Sequence, residues 1–151
     1  MIDRFERFSF SIAEIYRYWH KIAADEMEKY GLKGPYAVYL TTMYRFPDGI
    51  TATQLSEYCS KDKSDVSRAM TLMEKKGLVK KTGVNQNLYR ARIQLTEEGL
   101  NAAAHVRQRA GIAVELAGAG ISEADRAVFY ETLEHIASNL QTISTDGLPE
   151  V

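Results

Sequence analysis

A chain of 151 residues, 45% apolar and 26% charged, suits one soluble domain with a packed core. It holds no apolar run long enough to cross a membrane, and its one cysteine, Cys59, excludes an intrachain disulfide and fits a reducing cytoplasm. The net charge of −1 hides three unlike segments: residues 1–60 carry 7 basic and 8 acidic side chains, residues 61–92 carry 9 and 3, and residues 93–151 carry 3 and 9.

A middle segment at a net +6, set between acidic flanks, predicts a polyanion as partner. The N-terminus MIDRFERFSF mixes acids with aromatics and lacks an apolar stretch followed by a small-residue cleavage site, which argues against a signal peptide.

The first predicted element is a long amphipathic helix. Phe5, Phe8, Ile12, Ile15, Trp19 and Ala23 recur every three or four residues, and Gly31 supplies the left-handed residue that ends such a helix. Pro35 then stands where proline is tolerated, at the start of a second helix carrying Tyr36, Tyr39, Leu40 and Met43. Pro47 and Gly49 break it. Thr51-Ala-Thr-Gln54 has the form of a capping box, and the helix it opens turns Ala52, Leu55 and Cys59 inward. A tight turn at Ser60-Lys61 leads to Asp62, a good N-cap, and Gly77 closes the helix that follows. Two helices so closely joined form a helix-turn-helix candidate.

Residues 78–81 and 88–95 read as two strands, with Tyr89, Ala91, Ile93 and Leu95 on one face of the second. The polar TGVNQN between them has the composition of a hairpin tip, so the pair forms a wing. Thr96 caps an alanine-rich helix with Glu97 and Glu98 in its first turn. Gly118-Ala-Gly120 interrupts it and Ser122 restarts it. Phe129, Leu133, Ile136, Leu140 and Ile143 then form a closing stripe, and residues 145–151 read as a flexible tail. The fold class is mainly α with a small β-hairpin wing: a winged helix-turn-helix over residues 32–96, flanked by helices in 1–31 and 97–144, in one domain.

The segment 62–76 carries the chemistry. On a wheel of about 100° per residue, Ser67, Arg68, Thr71 and Lys75 all fall within about 60° of Ser64. Val66, Ala69, Met70 and Met73 lie on the opposite side. One face packs while the other offers short hydroxyls, an arginine and a lysine. Hydroxyls bond phosphates or base edges, and arginine makes the commonest specific contact, bidentate to guanine in a major groove roughly 12 Å wide. Any one of these lysines alone is as well explained by a solvated helix face. The constellation, between a capped helix and a basic hairpin, is not. Double-stranded DNA is therefore the expected partner. The rival class is a winged-helix protein–protein adaptor without specific DNA readout, distinguished by a salt titration of binding to random duplex DNA.

The stretch GLKGPYAVYLTTMYRFPDGITATQLSEYCSKDKSDVSRAMTLMEKKGLVKK, followed by RIQLTEEG, resembles the MarR-type (multiple antibiotic resistance) regulators. The motifs DKSDVSRAM, EKKGLV and LTEEG carry the resemblance over residues 32–99. It implies a cytoplasmic homodimer on a pseudo-palindromic operator, with a recognition helix in each major groove and a wing on each minor groove. Carried over, Ser64, Ser67 and Arg68 are recognition-helix contacts, and Thr51 and Thr53 lie at the start of the supporting helix. Lys63, Thr71, Lys75 and Lys81 complete the DNA face. Where such wings usually carry an Asp-Arg pair, this chain has Asn87, Leu88 and Tyr89, and Arg90 takes the wing's part. Phe5, Phe8, Ile12, Phe129, Leu133, Ile136, Leu140 and Ile143 would form the dimer interface. The function expected is that of a repressor released by a small aromatic or phenolic ligand, with a ligand-blind regulator as the alternative.

The ligand site expected is the aromatic group Tyr16, Trp19, His20, Tyr36, Tyr39 and Tyr44, with Arg17, Lys21 and Arg45 as alternative carboxylate partners. Each of these aromatics taken alone is better explained as core or interface. Cys59 is better read as a small buried hydrophobe than as a thiol sensor. His20, His105 and His135 are scattered over three helices, which speaks against a metal site. No nucleophile stands with a base and no glycine loop cradles phosphate, so neither an enzyme nor a cofactor is expected.

Overall fold

The computed structural model describes residues 3–83 and 91–150. In chain order the elements are α1 (Arg4–Glu28), a 3-10 turn (Gly34–Tyr36), α2 (Ala37–Met43), β1 (Ile50–Thr51), α3 (Ala52–Cys59), α4 (Lys63–Lys75), β2 (Val79–Thr82), β3 (Arg92–Leu95), α5 (Glu97–Ala117) and α6 (Glu123–Asp146). The fold is mainly helical with a small antiparallel sheet, as the sequence patterning predicts. The chain divides into two compact units, residues 1–111 and 112–151, with the boundary inside α5.

The first unit holds the core. Tyr39, Leu40 and Met43 of α2, Leu55 of α3 and Val66, Ala69, Met70 and Met73 of α4 are buried together, joined by Ile50, Val79, Ile93 and Leu95 from the sheet. Local chemistry fixes the ends of these helices. In the capping box of α3, the Gln54 amide donates to Thr51 Oγ1 at 3.1 Å and the Thr51 amide donates to Gln54 Oε1 at 3.1 Å. Asp62 caps α4 by accepting from the Asp65 amide at 2.7 Å. Between the two helices Ser60 takes the left-handed conformation, φ +51. This lets the chain reverse within three residues. Met27 is the fully buried side chain of α1, whose other apolar side chains are largely exposed.

The sheet has the order β1-β3-β2. β3 pairs with β2 in the expected hairpin, Val79 opposite Leu95 and Thr82 opposite Arg92. It also pairs with β1, Ile50 opposite Ile93, which the sequence did not announce. Two residues are too few to show a period. Of the strand expected from Leu88, residues 88–90 lie outside the described residues, Ala91 is not in the ladder, and Arg92–Leu95 are. Most of the TGVNQN tip lies outside the described residues.

One junction is unusually close. A Cβ on Gly99 would sit 1.9 Å from the Leu78 carbonyl oxygen, so glycine is required there. Around it the Thr96 amide donates to Leu78 O at 3.0 Å, Thr96 Oγ1 donates to Gly77 O at 2.6 Å, and the Gly99 amide donates to Thr96 Oγ1 at 3.1 Å. The LTEEG and EKKGLV motifs thus meet as one hydrogen-bonded joint.

In the second unit α6 is capped by Ser122, which accepts from the Asp125 amide at 3.1 Å. The helix runs through Thr145 to Asp146, two residues beyond the expected start of the tail, and ends at Gly147 with φ +83. Arg126 donates to Glu115 at 2.7 Å, and its guanidinium fills the space where a Cβ on Gly118 would stand. No residue of α6 is buried.

Candidate nucleic-acid interface

The second helix of the helix-turn-helix, α4, has the two faces its sequence predicts. Val66, Ala69, Met70 and Met73 are buried, and Ser64, Ser67, Arg68, Thr71 and Lys75 are all exposed. The polar stripe is held in order by local bonds. Ser64 Oγ donates to the Asp62 carboxylate at 2.8 Å, and Thr71 Oγ1 donates to the Ser67 carbonyl at 2.9 Å. Both hydroxyl oxygens keep lone pairs free to accept. Donation from the Asp65 amide, and then from Ser64, holds the Asp62 carboxyl below its usual range. The cap therefore stays charged through the neutral pH range.

The starts of α3 and α4 and the sheet converge on one cleft of about 180 Å³, lined by Ala52, Thr53, Lys63, Val66, Ser67, Met70, Lys81, Ala91 and Ile93. Four expected DNA-face residues, Thr53, Lys63, Ser67 and Lys81, thus share one surface. Thr51 stays with them as the α3 N-cap, its hydroxyl and amide spent on the capping box. Lys75 stands in the last turn of α4. Lys81 reaches Glu74 at 3.6 Å and Arg68 reaches Asp65 at 3.7 Å, both exposed pairs of the kind that contribute at most ~1 kcal/mol. They orient the two cations without neutralising the face. Arg90 lies outside the described residues.

The aromatic group expected to hold a ligand is not brought together. A second cleft of about 230 Å³, between α1, α2 and α5, is lined by Trp19, Ile22, Ala23, Glu26, Ala37, Val38, Thr41, Val106 and Ala110. Of the expected six only Trp19 lines it. Tyr16 and His20 stack on each other, ring centroids 3.9 Å apart, on the outward side of α1. Tyr44 lies under the Arg107 guanidinium, 5.0 Å from its ring centroid. Tyr36 packs against Tyr39, and Tyr39 is wholly buried with its hydroxyl donating to Asp65. The sequence offered no cue for Glu26, the one ionisable group on this cleft. Its partners are Lys29 at 2.6 Å and Arg109 at 2.9 Å, and together they hold its carboxyl below the usual range. Arg109 is 83 residues away along the chain.

Cys59 is buried against Thr42 and Val38, and burial pushes its thiol above the ordinary value. That environment disfavours the reactive thiolate. Among the described residues no group of His, Cys, Asp or Glu is placed to hold a metal ion. No helix among them is long and apolar enough to cross a membrane.

A protein-family model described as the MarR family matches residues 30–86, the helix-turn-helix and β2. The crystal structure of a MarR transcriptional regulator from Methanosarcina mazei Go1 is similar over 93% of this chain and 93% of its own, at 25% identity and TM-score 0.79. Residues 30–86 thus carry a MarR-family match, and the fold is that of MarR transcriptional regulators. Two further structures share the MarR fold at lower identity. One is a Listeria monocytogenes protein complexed with 26mer DNA (22% identical, 93% and 95% covered, TM-score 0.78). The other is the S. aureus MepR–DNA complex (19% identical, 88% and 96% covered, TM-score 0.77). No curated protein matches the chain. The Methanosarcina protein is described as a transcriptional regulator.

Proposed function

We propose that this chain is a MarR-type regulator: a homodimeric, sequence-specific DNA-binding repressor. The observation that carries the reading is the exposed stripe Ser64, Ser67, Arg68, Thr71 and Lys75, backed by a buried face that makes α4 a rigid insert for a major groove. Lys63, Lys75, Lys81 and Arg90 hold phosphates, Thr51 and Thr53 stand at the start of the supporting helix, and Arg68 reads a base. The DNA complexes of the Listeria and MepR structures support this reading by fold. Residues 32–96 form the DNA-binding part, and the flanking helices in 1–31 and 97–144 dimerise. Phe5, Phe8, Ile12, Phe129, Leu133, Leu140 and Ile143, all exposed in the single chain, supply the apolar surface, with Ile136 half-buried among them. Two-fold symmetry then requires a pseudo-palindromic operator with half-sites about one helical turn apart.

An inducer is the finer part of the proposal. The cleft beside Trp19 is apolar except for Thr41 and the Glu26 carboxylate. The carboxylate is already paired with Lys29 and Arg109, so the apolar walls are what select an aromatic or phenolic ligand. Binding there releases DNA when it favours the DNA-free arrangement by about 1–3 kcal/mol.

The decisive experiment is selection of bound fragments from random duplex DNA, followed by salt titration on the selected site. A palindromic consensus and a steep loss of affinity with salt are expected. Salt-insensitive or absent binding would overturn the reading. Aromatic compounds titrated into the complex, with Trp19 fluorescence followed, test the inducer: DNA release accompanied by quenching is expected.

A further inference from the structure

Among the described residues Tyr39 is the largest fully buried side chain, and its hydroxyl is bonded to a side chain at the rim of the core. A buried phenol needs a hydrogen-bond partner. This one donates to Asp65 Oδ2, in the first turn of α4 and 26 residues further along the chain. The other oxygen, Oδ1, faces the Arg68 guanidinium at 3.7 Å. Asp65 is 31% exposed at the side chain and Arg68 66%. A single carboxylate therefore bridges the core and the outermost cation of the polar stripe. Burial, with the bond to Asp65 adding to it, pushes the Tyr39 phenol upward from its ordinary value, so it remains a donor at any working pH.

The arrangement solves a problem created by the sequence. An aspartate one turn from the N-terminus of α4 suits the helix dipole, but on a surface meant for phosphates its charge is repulsive. Turning one oxygen inward to a phenol fixes the side chain in one rotamer and leaves the other oxygen as an anchor for Arg68. An unanchored arginine loses rotamer freedom on being held. An anchor reduces that loss when the guanidinium must meet a base edge.

We propose that Tyr39 is a positioning residue, which acts through Asp65 to set the pose of Arg68 and so sharpens base discrimination by α4. The inference rests on the reading of α4 as a recognition helix, and the test separates the two.

Tyr39→Phe keeps the ring in the core and removes only the hydroxyl. The first measurement needs no DNA: side-chain 15Nε relaxation of Arg68 in the free protein. A lower order parameter is expected in Tyr39→Phe, with Asp65→Ala giving the same loss. Unchanged Arg68 order in both variants would overturn the proposal. The second measurement compares affinity for the duplex recovered by selection with affinity for random-sequence duplex. Tyr39→Phe should lower the ratio by roughly three- to tenfold, the size expected when one charge-assisted hydrogen bond acts at second hand. In an Arg68→Ala background it should lower it no further. An equal loss in that background would show that Tyr39 serves packing alone, and an unchanged ratio beside reduced Arg68 order would overturn the effect on discrimination. If the wild-type chain shows no preferred duplex while Arg68 order still falls, positioning stands and the recognition-helix reading fails.

Discussion

Helices α4 and α6 carry apolar stripes of the same kind, at the same helical spacing, and the chain treats them in opposite ways. In α4 the stripe Val66, Ala69, Met70 and Met73 is buried to 2% exposure or less. In α6, Phe129, Leu133, Leu140 and Ile143 remain between 39% and 49% exposed. A monomeric protein rarely leaves so long a row of large apolar side chains in water. The difference teaches that amphipathic periodicity reports a face that wants a partner and is silent about where the partner comes from. For α4 the partner is the chain's own core. For α6 the proposed dimer supplies it.

The sharpest way to break this comparison is to place a charge on each stripe. Leu133→Asp or Leu140→Asp should abolish dimerisation and operator binding together while leaving the monomer folded, as sedimentation and circular dichroism would show. A folded dimer in either variant would refute the assignment of α6. On the other stripe, Met73→Ala should cost about 2–5 kcal/mol of folding free energy by denaturant titration, independent of protein concentration.

Smaller effects sharpen the contrast. Gly99→Ala forces a methyl against the Leu78 carbonyl and should cost about 1–3 kcal/mol, read as a lowered denaturation midpoint with unchanged slope. Thr51→Ala removes the α3 capping box and should cost about 1 kcal/mol, and Ser122→Ala a similar amount for α6. Equal costs would indicate that the two units share one folding transition. A lost Ser122 cap without effect on the main transition would show that residues 112–151 unfold on their own.

The smallest effect is in pH. Glu26 is held below the usual carboxylate range by Lys29 first and Arg109 second. Its contribution to stability is therefore present above its unfolded value, about 4, and is lost as pH falls below that. A melting-temperature profile from pH 6 to pH 3 should be shallower in Glu26→Gln than in the natural chain.

The legible parts of this protein are the local ones. Thr51 with Gln54, Asp62, Gly77 and Ser122 announce helix ends because capping is settled within a few residues, and the stripes of α4 and α6 follow from helical spacing alone. The short strand at Ile50–Thr51 was not legible, since its pairing with Ile93 depends on a residue 43 positions away. The same holds for Glu26 with Arg109 and for Tyr39 with Asp65, which join helices whose packing no local pattern encodes. The aromatic group was less legible: of Tyr16 and Trp19 on α1 and Tyr39 on α2, Trp19 alone lines a cleft, because which aromatic meets it depends on how α1, α2 and α5 pack.

The joint at Gly77, Leu78, Thr96 and Gly99 has a consequence for movement. Two hydrogen bonds across the joint, a third within the α5 cap and a backbone contact with no room for a methyl leave no hinge between the base of the hairpin and the first turn of α5. A rotation of that turn carries Gly77 and Leu78 with it, and with them the C-terminal end of α4. In mechanical terms the joint is a weld: torque applied to the start of α5 reaches the end of α4 without being spent in an intervening loop.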